Sequence, residues 1–286
     1  EAAGLRVPRS VRIRTATEAR AAAERLGFPM IIKPIAGAGS ADTYRVDGAK
    51  ELDATLAKMH HVPEASCEEF ITGEEFTCDT VCIGGRPAYI NVAQYLPPPL
   101  IARSQEWVSP VITTVRDLTQ APIARGIELG KGVLRALGMG DGFTHMEWFL
   151  KPDGEVVFGE IGCRPGGAHL VDQMNYTSDI DLFREWARVA CWNSFEAPTE
   201  RKYNAAIVFK RAKGQGRITR VTGLTEFMRK YGQHVVEQHL LPIGAQRRNW
   251  KNTLLSDGHI LLRHPDWKRA NELANMVATD VTLFAE

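Results

Sequence analysis

Two glutamates, Glu147 and Glu160, stand on either side of a predicted tight turn. Each belongs to a run in which apolar and polar residues alternate, as they do in a half-buried β-strand. The runs are joined through Asp153-Gly154, which is typical of a two-residue hairpin turn because both residues tolerate a positive φ. With that turn, the two glutamates lie directly opposite each other on one face of a hairpin, beside Phe149 paired with Phe158.

Two facing carboxylates repel each other, so a cation between them is the simplest reason for this pattern. Hard divalent ions such as Mg²⁺ take carboxylate oxygens together with phosphate oxygens of a bound nucleotide. The alternative is a solvated hairpin whose two acids point into water, and the residues alone favour neither reading. A three-residue turn with a glycine bulge would shift the register by one residue and place the acids on opposite faces.

A lysine followed by glycines forms a second candidate site. Lys33 closes the apolar run at 28–34, which predicts a strand, and Gly37, Gly39 and Ser40 follow it. Backbone N–H groups of such a loop can surround an anion, and a lysine adds a positive charge for phosphates. The segment has neither of the two common phosphate-loop patterns, so a flexible turn between two strands remains an alternative.

The elements that would position these residues indicate a mixed α/β fold. Periodicity and capping signals predict helices over residues 15–26, 49–60, 122–137 and 181–192. Three strands of one small sheet are predicted at 66–71, 72–83 and 86–94. An irregular segment that begins with prolines is predicted at 97–108. From Tyr203 onward, short strands and glycines suggest a separate strand-rich domain.

Composition excludes several classes of function. The 286 residues allow two compact domains, and 35 Lys+Arg against 34 Asp+Glu indicate neither a nucleic-acid surface nor a polybasic membrane patch. No apolar run reaches the roughly 18 to 20 residues of a membrane span. The five cysteines form no Cys-x-x-Cys pair, so neither a disulfide framework nor a zinc site is indicated. We expect a cytoplasmic protein.

Four motifs in this order resemble the ATP-grasp superfamily: Gly-Phe-Pro-Met-Ile-Ile-Lys-Pro at 27–34, Glu-Glu-Phe-Ile-Thr-Gly-Glu-Glu-Phe at 68–76, His-Met-Glu at 145–147 and Glu-Ile-Gly-Cys-Arg-Pro-Gly-Gly at 160–167. The tail from Tyr203 is similar to the closing domain of biotin carboxylase-like members, above all to that of L-amino acid ligases. The resemblance implies an α/β (α+β) ATP-grasp fold, with a two-lobed nucleotide-binding domain and a small strand-rich C-terminal domain.

The implied domain boundaries divide the chain into two parts. The ATP-grasp domain would cover residues 1–195, with a small lobe at 1–70 and a large lobe at 71–195, and the C-terminal α+β domain would cover 196–286. Because the chain begins at Glu1, in what reads as the middle of a domain, we expect an upstream N-terminal domain with the family's first phosphate-binding lysine to be missing from it.

The implied activity is that of a carboxylate–amine ligase. ATP with Mg²⁺, or Mn²⁺, would phosphorylate a small carboxylate, and an amine would attack the acyl phosphate to form an amide, with release of ADP and phosphate. Amino acid-like substrates are expected, with no nucleic acid or membrane partner, and both monomer and homodimer stay open. The alternatives are a carboxylase-type enzyme that phosphorylates bicarbonate and a nucleotide-binding module without turnover.

The resemblance also assigns nucleotide contacts. Lys33 would contact the phosphates beneath the mobile glycine loop, while the residues after it would hold the adenine and the ribose. Glu75 would accept the ribose hydroxyls. The loop residues and the adenine-edge residues are Gly37, Gly39, Ser40, Glu68, Phe70 and Ile71, with Glu68 and Ile71 presenting backbone groups and Phe70 between them.

The remaining assignments concern the metal and the reacting groups. Glu147 and Glu160 match the family's metal-binding acids, and Arg164 would lie beside the substrate carboxylate or the intermediate. A neutral His145 would either orient a ligand or substrate, or act as a hydrogen-bonded residue that supports the metal ligands. Many members carry asparagine where this chain has Gly162, opposite His145, so binding of a second ion is in question.

Overall fold

The computed structural model describes residues 1–36, 42–251, 253 and 255–286. Three predicted loop residues, Gly37, Gly39 and Ser40, therefore lie outside the described residues. Across the described ranges, no helix combines the length and the apolar character needed to cross a membrane.

The strands and helices follow each other along the chain in a mixed order. The strands are β1 (Ser10–Ile13), β2 (Met30–Pro34), β3 (Tyr44–Val46), β4 (Ala65–Glu69), β5 (Glu74–Ile83), β6 (Arg86–Leu96), β7 (Val111–Thr114), β8 (Gly142–Leu150), β9 (Val156–Gly162), β10 (Asn204–Phe209), β11 (Lys213–Gly214), β12 (Ile218–Thr222), β13 (Val235–Leu240), β14 (Gly258–His264) and β15 (Thr282–Ala285). The helices are α1 (Ala16–Leu26), α2 (Ala49–Lys58), α3 (Pro99–Ser104), α4 (Ala121–Ala136), α5 (Leu170–Ser178), α6 (Leu182–Trp192), α7 (Leu224–Tyr231) and α8 (Trp267–Asp280).

A small lobe is built on the four-stranded sheet β1-β4-β2-β3. Helix α1 begins at the predicted capping box, where the Thr15 side chain accepts a hydrogen bond from the Glu18 backbone and the Glu18 side chain accepts one from the Thr15 backbone. Helices α1 and α2 cover the sheet, with Met30, Ile32 and Leu52 among the buried residues of this core. These elements fall within the predicted small lobe, residues 1–70.

The large sheet has eight antiparallel strands in the order β13-β14-β10-β7-β6-β5-β8-β9. Helices α5 and α6 pack on one face, and α4, α7 and α8 pack on the other. Because side chains alternate along a strand, Met146 and Trp148 of β8 enter the core under α4. His145 and Glu147 therefore face the opposite side, where the site lies.

Two expectations about the fold are wrong, and a third, the domain boundary, stays a prediction. β4 and β5 were expected in one small sheet, but they belong to the four-stranded and the eight-stranded sheet, so residues 70–73 link the two lobes. The segment 97–108 contains a short helix, α3, rather than only irregular chain. β10 pairs with β7, so the large sheet continues past residue 196, and the domain boundary at 195/196 stays a prediction.

The hairpin turn between β8 and β9 differs from the predicted two-residue turn. Lys151 N–H donates to the Glu155 carbonyl and Gly154 N–H donates to the Lys151 carbonyl, both at 2.9 Å, and Gly154 has a φ of 84°. This is a three-residue turn that closes on glycine in the left-handed region. The predicted pair of Phe149 and Phe158 is wrong for this reason, because Phe149 pairs with Val157.

A β-bulge then restores the register further from the turn. Trp148 pairs with Phe158, but the next residue back, Glu147, pairs with Glu160, so Gly159 is the extra residue of β9. A side chain at Gly159 would place its Cβ 2.8 Å from the Glu147 carbonyl oxygen. Turn and bulge each shift the register by one residue, and together they leave the two glutamates opposite each other, as predicted.

We expect Gly159→Ala to lower the free energy of unfolding by about 2 kcal/mol, because the new methyl group meets backbone rather than a flexible side chain. Urea denaturation measures this change. Gly140→Ala is the matched control, since a Cβ there meets nothing within 4 Å, and it should shift stability by no more than about 0.5 kcal/mol. Equal stability of the two variants would contradict the tight bulge.

Candidate active site

Three carboxylates gather on one face of β5, β8 and β9. Glu147 pairs with Glu160 across β8 and β9 and with Thr77 across β8 and β5. Glu75 lies two residues before Thr77 and therefore on the same face. Burial, and then the charges of Glu147 and Glu160, raise the pKa of Glu75 to about 8. Carboxyl groups grouped in this way offer oxygen atoms that could bind a divalent cation.

Glu147 is held in a fixed orientation by two neighbours. The Tyr95 hydroxyl donates to Glu147 Oε1 at 2.9 Å, and His145 Nε2 lies 3.6 Å from the same oxygen. Burial acts to raise the pKa of Glu147, but the nearby His145 ring and the hydrogen bond from Tyr95 outweigh it, and the pKa is lowered. Glu147 is thus an ionised carboxylate whose second oxygen, Oε2, remains for a cation.

His145 is buried beneath this carboxylate. Its Nδ1 lies 2.6 Å from Asp79 Oδ1, and Asp79 also accepts hydrogen bonds from Thr77 and Asn91. Burial acts to lower the pKa of His145. The charges of Asp79 and Glu147 together have the larger effect, and the pKa is raised to about 10. The contact with Asp79 and the raised pKa favour a protonated ring over the expected neutral imidazole. The buried ring favours the alternative of a hydrogen-bonded residue that supports Glu147.

Arg164 follows the end of β9 and lies near Glu147. Its charge contributes to the lowered pKa of Glu147, and its Nη1 donates to the Pro165 carbonyl at 2.9 Å. Gly162 lies opposite His145, as predicted, and a Cβ on Gly162 would lie 3.3 Å from Arg164 Cγ. The stem of Arg164 thus passes beside Gly162, and a side chain at this glycine would displace it.

The small lobe carries Lys33 on β2 and Glu68 on the neighbouring strand β4. Lys33 Nζ forms an ion pair with Glu68 Oε2 at 2.9 Å. Glu68 lies in the central strand β4 with ladder partners on both sides, so its backbone is enclosed by β1 and β2. Phe70 and Ile71 follow in the linker between the lobes, where Ile71 is buried and Arg45 Cζ lies 4.4 Å from the centre of the Phe70 ring.

The N-terminal segment joins the two lobes beside the site. Arg6 Nη2 contacts Glu69 Oε1 of the small lobe at 2.8 Å, and Arg6 Nε lies 3.4 Å from Glu155 Oε1 of the hairpin. The Arg6 carbonyl accepts a hydrogen bond from Phe158 N–H. Arg6 thereby links the small lobe to β9, the strand that carries Glu160.

Sequence reasoning missed two residues that shape this site, Asp79 and Tyr95. Asp79 lies within the buried run of β5, where an ionised acid requires a partner. The sequence therefore indicates that Asp79 has a partner. It does not identify that partner, because His145 is 66 residues away and only the pairing of β5 with β8 brings the two together. Tyr95 gives no comparable signal, since an aromatic residue in a strand is ordinarily predicted to be part of the hydrophobic core.

The ATP-grasp domain family matches residues 26–172, which include both glutamates, His145, Arg164 and the linker between the lobes. The match spans more than half of the chain, so the chain belongs to the ATP-grasp family. The predicted resemblance and the mixed α/β fold are confirmed.

Two curated relatives are ligases. An L-arginine-specific L-amino acid ligase of Bacillus subtilis is 28% identical over 179 residues, covering 60% of this chain and 42% of that protein. A D-alanine–D-alanine ligase of Arthrobacter sp. (strain FB24) is 30% identical over 184 residues, covering 58% of this chain and 47% of that protein. The chain thus matches less than half of the length of either relative.

A solved structure shows the same fold over the whole chain. The L-amino acid ligase from Bacillus licheniformis superposes with a TM-score of 0.81 at 21% sequence identity, covering 100% of this chain and 69% of that one. At this identity the likeness concerns the fold alone. It covers the large sheet through its C-terminal strands as well as the small lobe.

The buried pair of Asp79 and His145 yields a stability prediction. We expect Asp79→Asn to lower the free energy of unfolding by about 3 kcal/mol, because the buried imidazolium loses its counter-charge and the amide can replace only one of the two acceptor oxygens. Urea denaturation measures this loss.

The matched control is Asp47→Asn, which removes an exposed charge paired with Arg45. It should cost no more than about 0.5 kcal/mol, because exposed ion pairs are screened by solvent. If both variants lose the same stability, the buried pair does not hold this side of the sheet together.

Proposed function

We propose that this chain carries the nucleotide- and metal-binding core of an ATP-dependent carboxylate–amine ligase. The observation that carries the proposal is the facing of Glu147 and Glu160 across β8 and β9, with Arg164 near the same carboxylates. Membership of the ATP-grasp family and the two ligases among its relatives support it.

The residues present fit a divalent cation. Glu147 is ionised and oriented, Glu160 is exposed, and Glu75 adds a third carboxyl group whose pKa is raised by burial and then by the charges of Glu147 and Glu160. Glu147 and Glu160 would hold Mg²⁺ or Mn²⁺, and the ion would neutralise charge on the phosphates during transfer. Because Gly162 offers no side-chain ligand, these two glutamates support one ion.

The nucleotide would lie between the lobes. Because the backbone of Glu68 is enclosed between two neighbouring strands, the backbone of Ile71 would contact the adenine edge. The Glu68 side chain would orient Lys33 toward the phosphates. Phe70 would line the same linker, and Glu75 would accept the ribose hydroxyls. Gly37, Gly39 and Ser40 keep their predicted role as the loop over the triphosphate.

The chemistry requires little covalent participation from the protein. A carboxylate oxygen of the substrate attacks the γ-phosphorus, the bond to the leaving oxygen of ADP breaks, and an acyl phosphate forms. An uncharged amine then attacks the acyl carbon, phosphate leaves with the bonding electron pair, and the proton lost from the nitrogen ends on the released phosphate. Arg164 would bind the carboxylate and the charge that develops on it, while His145 and Tyr95 hold Glu147 in place.

The test uses the full natural polypeptide that contains this chain, incubated with ATP, Mg²⁺, single amino acids and hydroxylamine. We expect ADP, phosphate and an amino acid hydroxamate. Glu160→Gln should lower kcat by about 100-fold or more, because charge neutralisation at the phosphates is lost. Release of AMP and pyrophosphate would contradict the acyl-phosphate route.

The control and the competing functions are separated in the same assay. Glu128→Gln changes an exposed glutamate of α4 and should leave kcat unchanged. ATP turnover that depends on bicarbonate and needs no amino acid would instead identify a carboxylase-type enzyme. Binding of Mg·ATP by calorimetry without turnover on any substrate would identify a nucleotide-binding module.

A second prediction concerns Glu75. Glu75→Gln should weaken Mg·ATP binding about tenfold, because an amide cannot become the charged acceptor that the carboxyl group becomes once a bound cation neutralises its neighbours, and it should not lower the free energy of unfolding of the metal-free protein. Calorimetry and urea denaturation measure the two effects. Glu74→Gln, at the exposed neighbouring position, should change neither. A loss of stability equal to the loss of binding would indicate a structural role for Glu75.

A further inference from the structure

A second group of metal-binding side chains lies outside the site described above. His169, Glu237 and His259 each offer one ligand atom, and these atoms all lie within 4.8 Å of one another. The three residues come from the start of α5, from β13 and from β14, so no local sequence motif joins them. None of them has a role in the proposed ligase chemistry.

A β-bulge places Glu237 on the correct face of the sheet. Val235 pairs with Leu262, but Glu237 pairs with Leu261 and His239 with His259, so one extra residue precedes the glutamate. Without the bulge, Glu237 would turn away from His259 to the face covered by α8. With the bulge, His259 Nε2 and Glu237 Oε1 lie 3.1 Å apart.

The third side chain is oriented by its own acidic partner. His169 Nδ1 lies 2.9 Å from Asp172 Oδ2 in the first turn of α5. A carboxylate on one ring nitrogen fixes the orientation and tautomer of a histidine and leaves the other nitrogen as a metal ligand. His169 itself has a φ of 60°, and its ring centre lies 4.5 Å from that of His259.

We propose that His169, Glu237 and His259 bind one divalent transition-metal ion, of which Zn²⁺ is the best match. Two imidazole nitrogens and one carboxylate oxygen are a ligand set that zinc accepts with a fourth position open. Mg²⁺ prefers oxygen ligands, so this site and the glutamates of the nucleotide site select different ions. Binding of this ion does not require the proposed ligase activity.

An ion at this place would act as a structural link. His169 follows Arg164 by five residues, on the segment that leads from β9 into α5. Glu237 and His259 belong to the far edge of the large sheet, at β13 and β14. Coordination would therefore tie the segment that carries Arg164 to the C-terminal strands, and would limit its movement.

The test is a titration of the metal-free full natural polypeptide with Zn²⁺, without nucleotide and in excess Mg²⁺, which occupies oxygen-rich sites. We expect saturable binding of Zn²⁺ and a rise in Tm of about 5 °C, because an ion that binds only the folded state stabilises it. Co²⁺ should bind competitively and give a visible absorption band from nitrogen and oxygen ligation.

The variants locate the ion. His169→Ala and Glu237→Gln should each weaken Zn²⁺ binding at least tenfold and abolish the rise in Tm. Both residues are only partly buried, so both variants should fold, and circular dichroism checks this. Glu147→Gln should leave Zn²⁺ binding unchanged. So should His234→Ala, which removes one ring of a separate histidine pair with His264.

Three results would overturn the inference. They are the absence of saturable Zn²⁺ binding in excess Mg²⁺, binding that survives in both His169→Ala and Glu237→Gln, and equal loss of binding in His234→Ala. None of these results bears on ATP turnover or on the hydroxamate assay. The metal inference can therefore fail while the proposed ligase function stands, and the reverse also holds.

Discussion

The register between β8 and β9 is the constraint on which the site depends. A strand has a side-chain period of two, so a slip of one residue would send Glu147 and Glu160 to opposite faces. The three-residue turn that ends at Gly154 introduces one such slip, and the extra residue Gly159 cancels it. The close approach of Gly159 to the Glu147 backbone explains why a residue without a side chain stands there.

The electrostatics of this face serve binding rather than stability. Burial and two neighbouring charges oppose the ionisation of Glu75, while a buried cation, His145, and the Tyr95 hydroxyl hold Glu147 ionised. Asp79 supplies the charge that keeps His145 protonated within the sheet. The face thus retains an excess of negative charge, which a nucleotide-bound cation would neutralise on binding.

The sequence was sufficient for local features and insufficient for distant pairings. Capping and periodicity predicted α1, α2, α4 and α6 closely, and the ATP-grasp resemblance was correct. The facing of the two glutamates was also predicted, although through a turn that the protein does not use. The separation of β4 and β5 into different sheets and the pairing of Asp79 with His145 depend on tertiary contacts, which propensity and spacing do not encode.

The most direct test of the account is a crystal structure of the full natural polypeptide with Mg²⁺ and a non-hydrolysable ATP analogue. We expect one cation between Glu147 and Glu160, bound also to phosphate oxygens, with Lys33 directed at the phosphates and Ile71 at the adenine. A cation coordinated elsewhere, with the two glutamates on opposite faces of the hairpin, would contradict the account.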